Sequence, residues 1–258
     1  MTSTLPLLAG KRILVTGIAN DQSIAWGCAK AFREFGAELA ITYLNDKARP
    51  HVEPLAHEVG AEIFEPLDVT STASLDHLFE TIGGRWGRLD AALHSIAYAP
   101  KDDLRGRLVD CSLDGFLTAM HVSCHSFIDM ARRAEPLMTS GGTLFTMSYL
   151  GSTQVVEHYD VMGPVKAALE ASVRYLAAEL GPKGIRVHAI SPGPIKTRAA
   201  SGLADFDELL ERAAAKSPAR ALATIEDVGY ATAMLAADAA KLITGSTVFV
   251  DGGYHIVD

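Results

Sequence analysis

The chain has 258 residues, of which 48% are hydrophobic and 21% charged, with a formal net charge of −8 and a pI near 5.6. This length suits one large α/β domain with a sizeable core, and the composition argues against disorder. An acidic chain without a basic patch is not expected to bind nucleic acid, and no apolar run of about 18 residues predicts a membrane span.

Short apolar runs alternate with amphipathic stretches from end to end. The apolar runs predict strands at Arg12–Thr16, Glu38–Tyr43, Glu62–Glu65, Leu89–His94, Gly142–Met147, Ile185–Ile190 and Thr247–Asp251. Helical periodicity predicts helices at Ser23–Phe35, Asp46–Val59, Ser71–Trp86, Ser112–Met138, Tyr159–Leu180 and Asp227–Leu235. This alternation predicts one domain over residues 1–258, a Rossmann-type doubly wound parallel sheet of about seven strands with helices on both faces. A long segment at about 191–216 is the expected substrate-binding lid.

Cysteine usage and the N-terminus predict a cytoplasmic protein. The opening MTSTLPLLAGKR is too short for the charged and apolar regions of a signal peptide. Cys28, Cys111 and Cys124 are odd in number and show no CxxC pairing, which fits a reducing compartment. His121 and His125 have the spacing of metal ligands, but no HExxH pattern or third ligand accompanies them, so no metal site is expected.

The first strand leads into a loop with the logic of dinucleotide binding. Gly17 follows the strand and Gly27 lies where a helix is expected to pack on it, with Ser23 as the helix N-cap or a phosphate donor. The loop is not GxGxxG, so a plain turn is almost as good an interpretation. Three further strand ends support a nucleotide, because Tyr43–Lys47, Asp68 and His94–Ala99 would meet it at one edge of the sheet.

Two tyrosines and a lysine follow the fifth strand. Tyr159 and Lys166 are seven residues apart, which places them on nearly the same helix face and roughly 10 Å apart along its axis. A phenol can stabilise a developing oxyanion, and a nearby ammonium would lower the tyrosine pKa. For an isolated pair, surface lysine and core tyrosine would be the better interpretation. The nucleotide features nearby favour a reaction site that also includes Tyr149.

Four motifs carry a resemblance to a known family. The G-x5-S-I-A-x-G loop, HSIAYAP, the Y-x9-Y-x6-K spacing and SPGPIKTRAASG resemble enoyl-acyl-carrier-protein reductases of bacterial fatty-acid synthesis, a divergent branch of the short-chain dehydrogenases. The resemblance runs from Leu8 to the C-terminus. Ordinary short-chain dehydrogenases place the lysine four residues after the tyrosine, where this chain has Gly163.

The resemblance implies a set of site residues. It implies that Tyr159 bonds the thioester carbonyl, that Tyr149 and Ala99 line the substrate pocket, and that Lys166 binds the nicotinamide ribose. The implied cofactor-binding residues are Gly17, Ser23, Ile24, Leu44, Asp68, Val69, Ile96, Lys166, Ile195, Lys196, Thr197, Arg198 and Ala199. At Leu44 this chain departs from the family, whose side chain there is commonly polar. The sequence after the second strand lacks an early basic residue, which favours NADH over NADPH.

The implied reaction is reduction of the C2=C3 bond of a trans-2-enoyl thioester by hydride transfer from NADH to C3. The implied partner is an enoyl thioester on acyl carrier protein or CoA, and the family forms homotetramers. Two alternatives stay open: another short-chain oxidoreductase acting on a ketone, alcohol or non-carrier enoyl thioester, and a non-catalytic nucleotide-binding homologue. The Y-x6-K spacing argues against a ketone or alcohol substrate, and the retained Tyr149, Tyr159 and Lys166 argue against a non-catalytic role.

Overall fold

The strands build one parallel sheet in the computed structural model, which describes residues 6–195, 197 and 206–257. They are β1 (Arg12–Thr16), β2 (Glu38–Tyr43), β3 (Ile63–Pro66), β4 (Ala91–His94), β5 (Gly142–Met147), β6 (Ile185–Pro192) and β7 (Thr247–Val250). Their order across the sheet is β3-β2-β1-β4-β5-β6-β7, and every pairing is parallel. The predicted Rossmann-type sheet is confirmed, and each strand end lies within two residues of its predicted position.

Helices cover both faces of the sheet. They are α1 (Ile24–Glu34), α2 (Arg49–Glu58), α3 (Thr72–Trp86), α4 (Lys101–Leu104), α5 (Leu113–Met120), α6 (Ser126–Ala134), α7 (Met162–Leu180), α8 (Phe206–Lys216) and α9 (Ile225–Ala236). Buried side chains form one hydrophobic cluster on each side of the sheet, as continuously apolar strands require. Within the described residues, no helix is long and apolar enough to cross a membrane.

The helix predicted over Ser112–Met138 is helical from Leu113 to Leu137, but it is not α-helical throughout. A π-helical turn at His121–His125 separates α5 from α6. The Ser126 hydroxyl donates to the carbonyl oxygen of Val122 at 2.6 Å, so a side chain satisfies a carbonyl four residues earlier in the chain. Hydrophobic periodicity cannot reveal such a turn, and π turns of this kind often mark functional sites.

The prediction that the next helix begins at Tyr159 is wrong, because α7 begins at Met162. His158 and Asp160 have φ values of 62° and 27°, in a region that non-glycine residues rarely occupy. Tyr159 therefore lies on a strained turn between two left-handed residues, and it shares no helix face with Lys166. Backbone strain of this kind clusters at active sites.

Gly27 has a different packing partner from the one predicted. A Cβ added at Gly27 would lie 2.0 Å from the carbonyl oxygen of Ile225, and one added at Gly229 would lie 2.3 Å from the carbonyl oxygen of Gly27. The two glycines thus let α1 and α9 touch backbone to backbone. Gly27 serves helix–helix packing rather than the predicted packing on a strand.

Candidate active site

The strand order defines where a ligand would bind. From β1 the sheet grows toward β2 and β3 on one side, and from β4 onward it grows on the other side of β1. The connections therefore run in opposite directions on the two sides of the β1–β4 pair. Ligands of open α/β sheets bind in the crevice outside the carboxyl ends of strands at such a switch point. Gly17 lies there with φ of +92°, and a Cβ at this position would be 2.0 Å from the Ser95 carbonyl oxygen. Only a glycine fits, so the backbone stays open to a ligand.

Ser23 occupies the predicted N-cap position of α1, but its side chain makes no capping bond. Its hydroxyl oxygen instead accepts from the backbone N–H groups of Ala19, at 3.0 Å, and Asn20, at 3.1 Å. The serine therefore fixes the shape of the loop. Ile24 is the first residue of α1, whose N-terminus carries the partial positive charge that favours phosphate.

The remaining predicted nucleotide contacts lie at neighbouring strand ends. Leu44 follows β2 and is 57% exposed, so it offers an apolar surface rather than a polar one. Asp68 follows β3 and is exposed, and its Oδ1 atom accepts from both the backbone and the hydroxyl of Thr70. Val69 is buried, and Ile96 packs on the core after β4. These residues lie along one edge of the sheet, as predicted.

The far end of the predicted cofactor site follows β6. Ile195 is partly buried, and the Thr197 backbone N–H donates to its carbonyl oxygen at 2.8 Å. Lys196, Arg198 and Ala199 lie outside the described residues, as does the stretch of the predicted lid from 200 to 205. Ser191 is 1% exposed, and its hydroxyl has no hydrogen-bond partner within the described part of the chain. A bound dinucleotide would supply a polar partner at this edge, so the residues present fit that ligand.

Tyr149 and Tyr159 are brought together after β5. Their rings meet edge to face with centroids 5.0 Å apart. A Cβ at Gly151 would come within 2.4 Å of the Tyr159 ring, so this glycine makes room for the ring. Ala99 is 8% exposed and belongs to the core cluster on this side of the sheet.

Burial decides the protonation of both phenols. It raises the pKa of Tyr159 well above its usual value and raises the pKa of Tyr149 to about 12. The expectation that the lysine lowers the tyrosine pKa is wrong, because loss of solvation raises the pKa of Tyr159, and Tyr149 and Glu170 raise it further. Both tyrosines are neutral phenols at physiological pH, and each can donate a hydrogen bond.

Lys166 lies under this site. It is 5% exposed, and its Nζ atom donates to the Met147 carbonyl oxygen at 2.7 Å. Burial lowers the pKa of Lys166 to about 8. The ammonium is thus held at the end of β5, with a proton affinity close to the physiological range.

The structure adds hydrogen-bonded polar groups that the sequence did not predict, beginning with the first residue of the predicted strand end His94–Ala99. His94 is fully buried between Thr146, 3.2 Å from Nδ1, and Ser126, 2.8 Å from Nε2. Because the Ser126 hydroxyl donates to Val122, Nε2 carries the imidazole proton and Thr146 donates to Nδ1. Burial and the charge of Lys166 lower the pKa of His94 to about 3.

Ser148 and Glu170 form the second missed pair. The Ser148 hydroxyl donates to the Glu170 carboxylate, and both side chains are buried. Glu170 stands four residues after Lys166, a spacing visible in the sequence and sufficient to place both on one helix face. Within the described residues, no cluster of three or more metal-ligating side chains exists.

A Rossmann-type sheet with a switch-point glycine loop, followed by tyrosines and a buried lysine after β5, defines a nicotinamide-dependent oxidoreductase of the short-chain dehydrogenase/reductase type. Comparison with known proteins identifies the family. Residues 17–255 match the family described as Enoyl-(Acyl carrier protein) reductase. The chain belongs to this family.

Curated relatives agree over the full chain. The chain is 46% identical to enoyl-[acyl-carrier-protein] reductase [NADH] 1 of Rhizobium meliloti, covering 100% of this chain and 94% of the relative. It is 47% identical to the corresponding NADH enzyme of Salmonella typhimurium, covering 96% and 95%.

Solved structures agree as well. The reductase of Anaplasma phagocytophilum in complex with NAD has a TM-score of 0.95 and 49% identity, covering 98% of this chain and 97% of that one. The Bacillus cereus reductase, with NADP+ and an indole naphthyridinone, has a TM-score of 0.96 and 44% identity, covering 98% and 99%. The resemblance stated from sequence motifs is confirmed.

Proposed function

We propose that Tyr159, Tyr149 and Lys166 carry the reduction of an enoyl thioester at this site. The activity follows from the family and from full-length relatives at 46% and 47% identity. The chain is an NADH-dependent enoyl-acyl-carrier-protein reductase of fatty-acid synthesis, which reduces the C2=C3 bond of its substrate. The observation that carries the proposed residue roles is the partly buried, neutral Tyr159 packed against Tyr149, with Lys166 bonded to Met147 at the end of the same strand.

Tyr159 is the proposed hydrogen-bond donor to the thioester carbonyl. Bound NADH would supply the hydride to C3, negative charge would develop on the carbonyl oxygen of the substrate, and a proton taken up at C2 from solvent would complete the saturated thioester. Because burial raises the pKa of Tyr159, its Oη atom keeps its proton at working pH and donates to that oxygen. Removing one such donor from an oxyanion site typically slows turnover by about 10²–10³-fold.

Tyr149 and Lys166 are proposed to support that donor. The Tyr149 ring packs edge-on against Tyr159 and lines the same pocket. Lys166 already gives one hydrogen bond to Met147, and its other N–H groups are proposed to hold the nicotinamide ribose hydroxyls. Gly17, Ser23 and the α1 N-terminus are the proposed pyrophosphate side, and Asp68 and Val69 the adenine side.

The assembly and the location are further proposals. We propose a homotetramer, which is supported by exposed apolar side chains on α5 and α7 and in the C-terminal tail, among them Leu113, Leu117, Tyr175 and Ile256. A cytoplasmic location is supported by three free cysteines. Analytical ultracentrifugation would measure the oligomeric state. The natural carrier of the enoyl group is proposed to be acyl carrier protein, with CoA thioesters as the alternative.

Loss of NADH absorbance tests the proposed substrate class. A medium-chain trans-2-enoyl thioester and the matching 3-ketoacyl thioester are compared with wild-type protein. Turnover of the enoyl substrate alone is expected. Turnover of the ketoacyl substrate would instead support another kind of short-chain oxidoreductase. Absence of turnover with both thioesters would point to another substrate class.

A further inference from the structure

Two hydrogen bonds tie the exit of β5 to one face of α7. The Met147 carbonyl oxygen accepts from Lys166 at 2.7 Å, and the next residue, Ser148, donates its hydroxyl to the Glu170 carboxylate. The residue after that is Tyr149. Lys166 and Glu170 are four residues apart and therefore lie on the same face of the helix. Their two hydrogen bonds hold adjacent residues of the segment that leads to Tyr149.

Glu170 is an unusual residue for its surroundings. It is 6% exposed, and Ser148 is 5% exposed. A carboxylate is rarely buried unless it is hydrogen-bonded and faces a positive charge, because loss of hydration penalises the ionised form. Ser148 supplies the hydrogen bond and Lys166 the positive charge, so the carboxylate belongs to the reaction site and not to the solvated surface of α7.

The groups that face Lys166 differ in charge. Burial raises the pKa of Cys124, so this residue of the π turn is a neutral thiol. His94, at the end of β4, has a pKa lowered to about 3 and is neutral, and Tyr159 is a neutral phenol. Cys124 and Glu170 both favour the ammonium form of Lys166, and of the two Glu170 is the carboxylate, whose charge a glutamine substitution removes.

We propose that Glu170 is a positioning residue of this active site, which holds the Tyr149 segment through Ser148 and keeps Lys166 protonated. It acts through these neighbours and contacts neither substrate nor cofactor. The inference rests on the proposed roles of Tyr149 and Lys166, and it assigns two separable effects to one carboxylate, a mechanical one and an electrostatic one.

The electrostatic effect predicts a change in pH dependence. Lys166 is charged below its pKa, so the NADH contact that needs its charge is complete at lower pH and is lost as pH rises through about 8. Glu170→Gln removes the negative charge that opposes this loss. NADH affinity plotted against pH falls on the alkaline side, and we call this fall the alkaline limb. In Glu170→Gln the alkaline limb should therefore move to lower pH by about one pH unit.

Two matched variants separate the effects. Glu170→Gln removes the negative charge but keeps a side-chain oxygen that can accept the hydrogen bond from Ser148. Ser148→Ala keeps the charge and removes this hydrogen bond, so it should leave the alkaline limb in place and lower kcat about threefold to tenfold. Glu179→Gln lies on the exposed side of the same helix and should change neither quantity.

NADH binding is followed by cofactor fluorescence from neutral to alkaline pH, alongside kcat with the enoyl thioester. The binding measurement needs no thioester, so failure of the proposed reaction would not be mistaken for failure of this inference. The inference is overturned if Glu170→Gln titrates like wild type and Glu179→Gln. Should Glu170→Gln not fold, Ser148→Ala decides, and an unchanged kcat in that variant overturns the mechanical role.

Discussion

The two halves of the carboxyl edge are built by different means. The nucleotide half, after β1, depends on backbone shape: Gly17 passes so close to Ser95 that no side chain fits. The reaction half, after β5, depends on side chains that donate hydrogen bonds or carry charge, above all Tyr159 and Lys166. Mutations on the nucleotide half should therefore act through steric conflict, and those on the reaction half through lost hydrogen bonds and charge.

The largest expected effect belongs to Gly17→Ala. The new Cβ would be 2.0 Å from a backbone oxygen at a left-handed φ, so the strand exits must move apart. We expect a loss of about 3 kcal/mol or more in the free energy of unfolding, together with loss of NADH binding. Denaturant unfolding and cofactor fluorescence measure the two quantities.

Gly87→Ala is the matched control for that steric claim. Gly87 also has a left-handed φ, of +69°, but a Cβ there would meet nothing within 4 Å. It should cost about 1 kcal/mol from backbone strain alone and leave NADH binding intact. Equal losses in the two variants would show that φ, and not the approach to Ser95, sets the requirement.

Two buried histidines, His94 at the end of β4 and His188 in β6, should make the folded protein sensitive to acid. The pKa of His94 falls from its ordinary value of 6.5 to about 3 in the folded protein, and burial lowers that of His188 to about 4. Below pH 6.5 each of these histidines is protonated in the unfolded chain but stays neutral in the folded protein. The free energy of unfolding therefore falls by about 1.4 kcal/mol for each histidine with every unit by which the pH is lowered. Unfolding at a series of pH values measures this slope.

His94→Gln tests the assignment of that slope. Glutamine can still donate toward Ser126 but does not titrate, so the dependence on pH between 6.5 and about 4 should fall to roughly half. His57→Gln, on an exposed position of α2, should leave the slope as it is. A wild-type slope in His94→Gln would remove His94 from the account.

The smallest expected effect is that of Tyr149→Phe. The ring still packs against Tyr159 and only the hydroxyl is lost, so kcat should fall by no more than about tenfold. Tyr149→Ala removes the ring that supports Tyr159 and should be slower still. If both variants were equally slow in steady-state kinetics, the hydroxyl would matter more than the packing.

Much of this architecture could be predicted because it repeats locally along the sequence. Apolar runs gave the strands, and strand ends such as Gly17, Asp68 and Ile96 fall at one edge once the sheet is parallel. Tertiary contacts account for what was missed. The helix that packs against Gly27 is α9, about two hundred residues away in the sequence, and no local sequence pattern predicts this contact.

The chemistry of the reaction half was harder to predict than its residues. Tyr149, Tyr159 and Lys166 were identified by type and spacing, but burial reversed the expected direction of the tyrosine pKa. The turn that carries Tyr159 rests on left-handed conformations at His158 and Asp160, which neither residue type requires. The depth of a site and its backbone strain arise from packing of the whole fold.

Tyr159→Phe tests the separation of the two halves most directly. The dissociation constant of NADH and the kcat for a trans-2-enoyl thioester are measured on the same preparation. We expect an unchanged dissociation constant, within about twofold, and a kcat lowered by about 10²–10³-fold, because only the donor to the substrate oxygen is removed. A dissociation constant that worsens as much as kcat, or a kcat that stays at the wild-type value, would contradict this expectation.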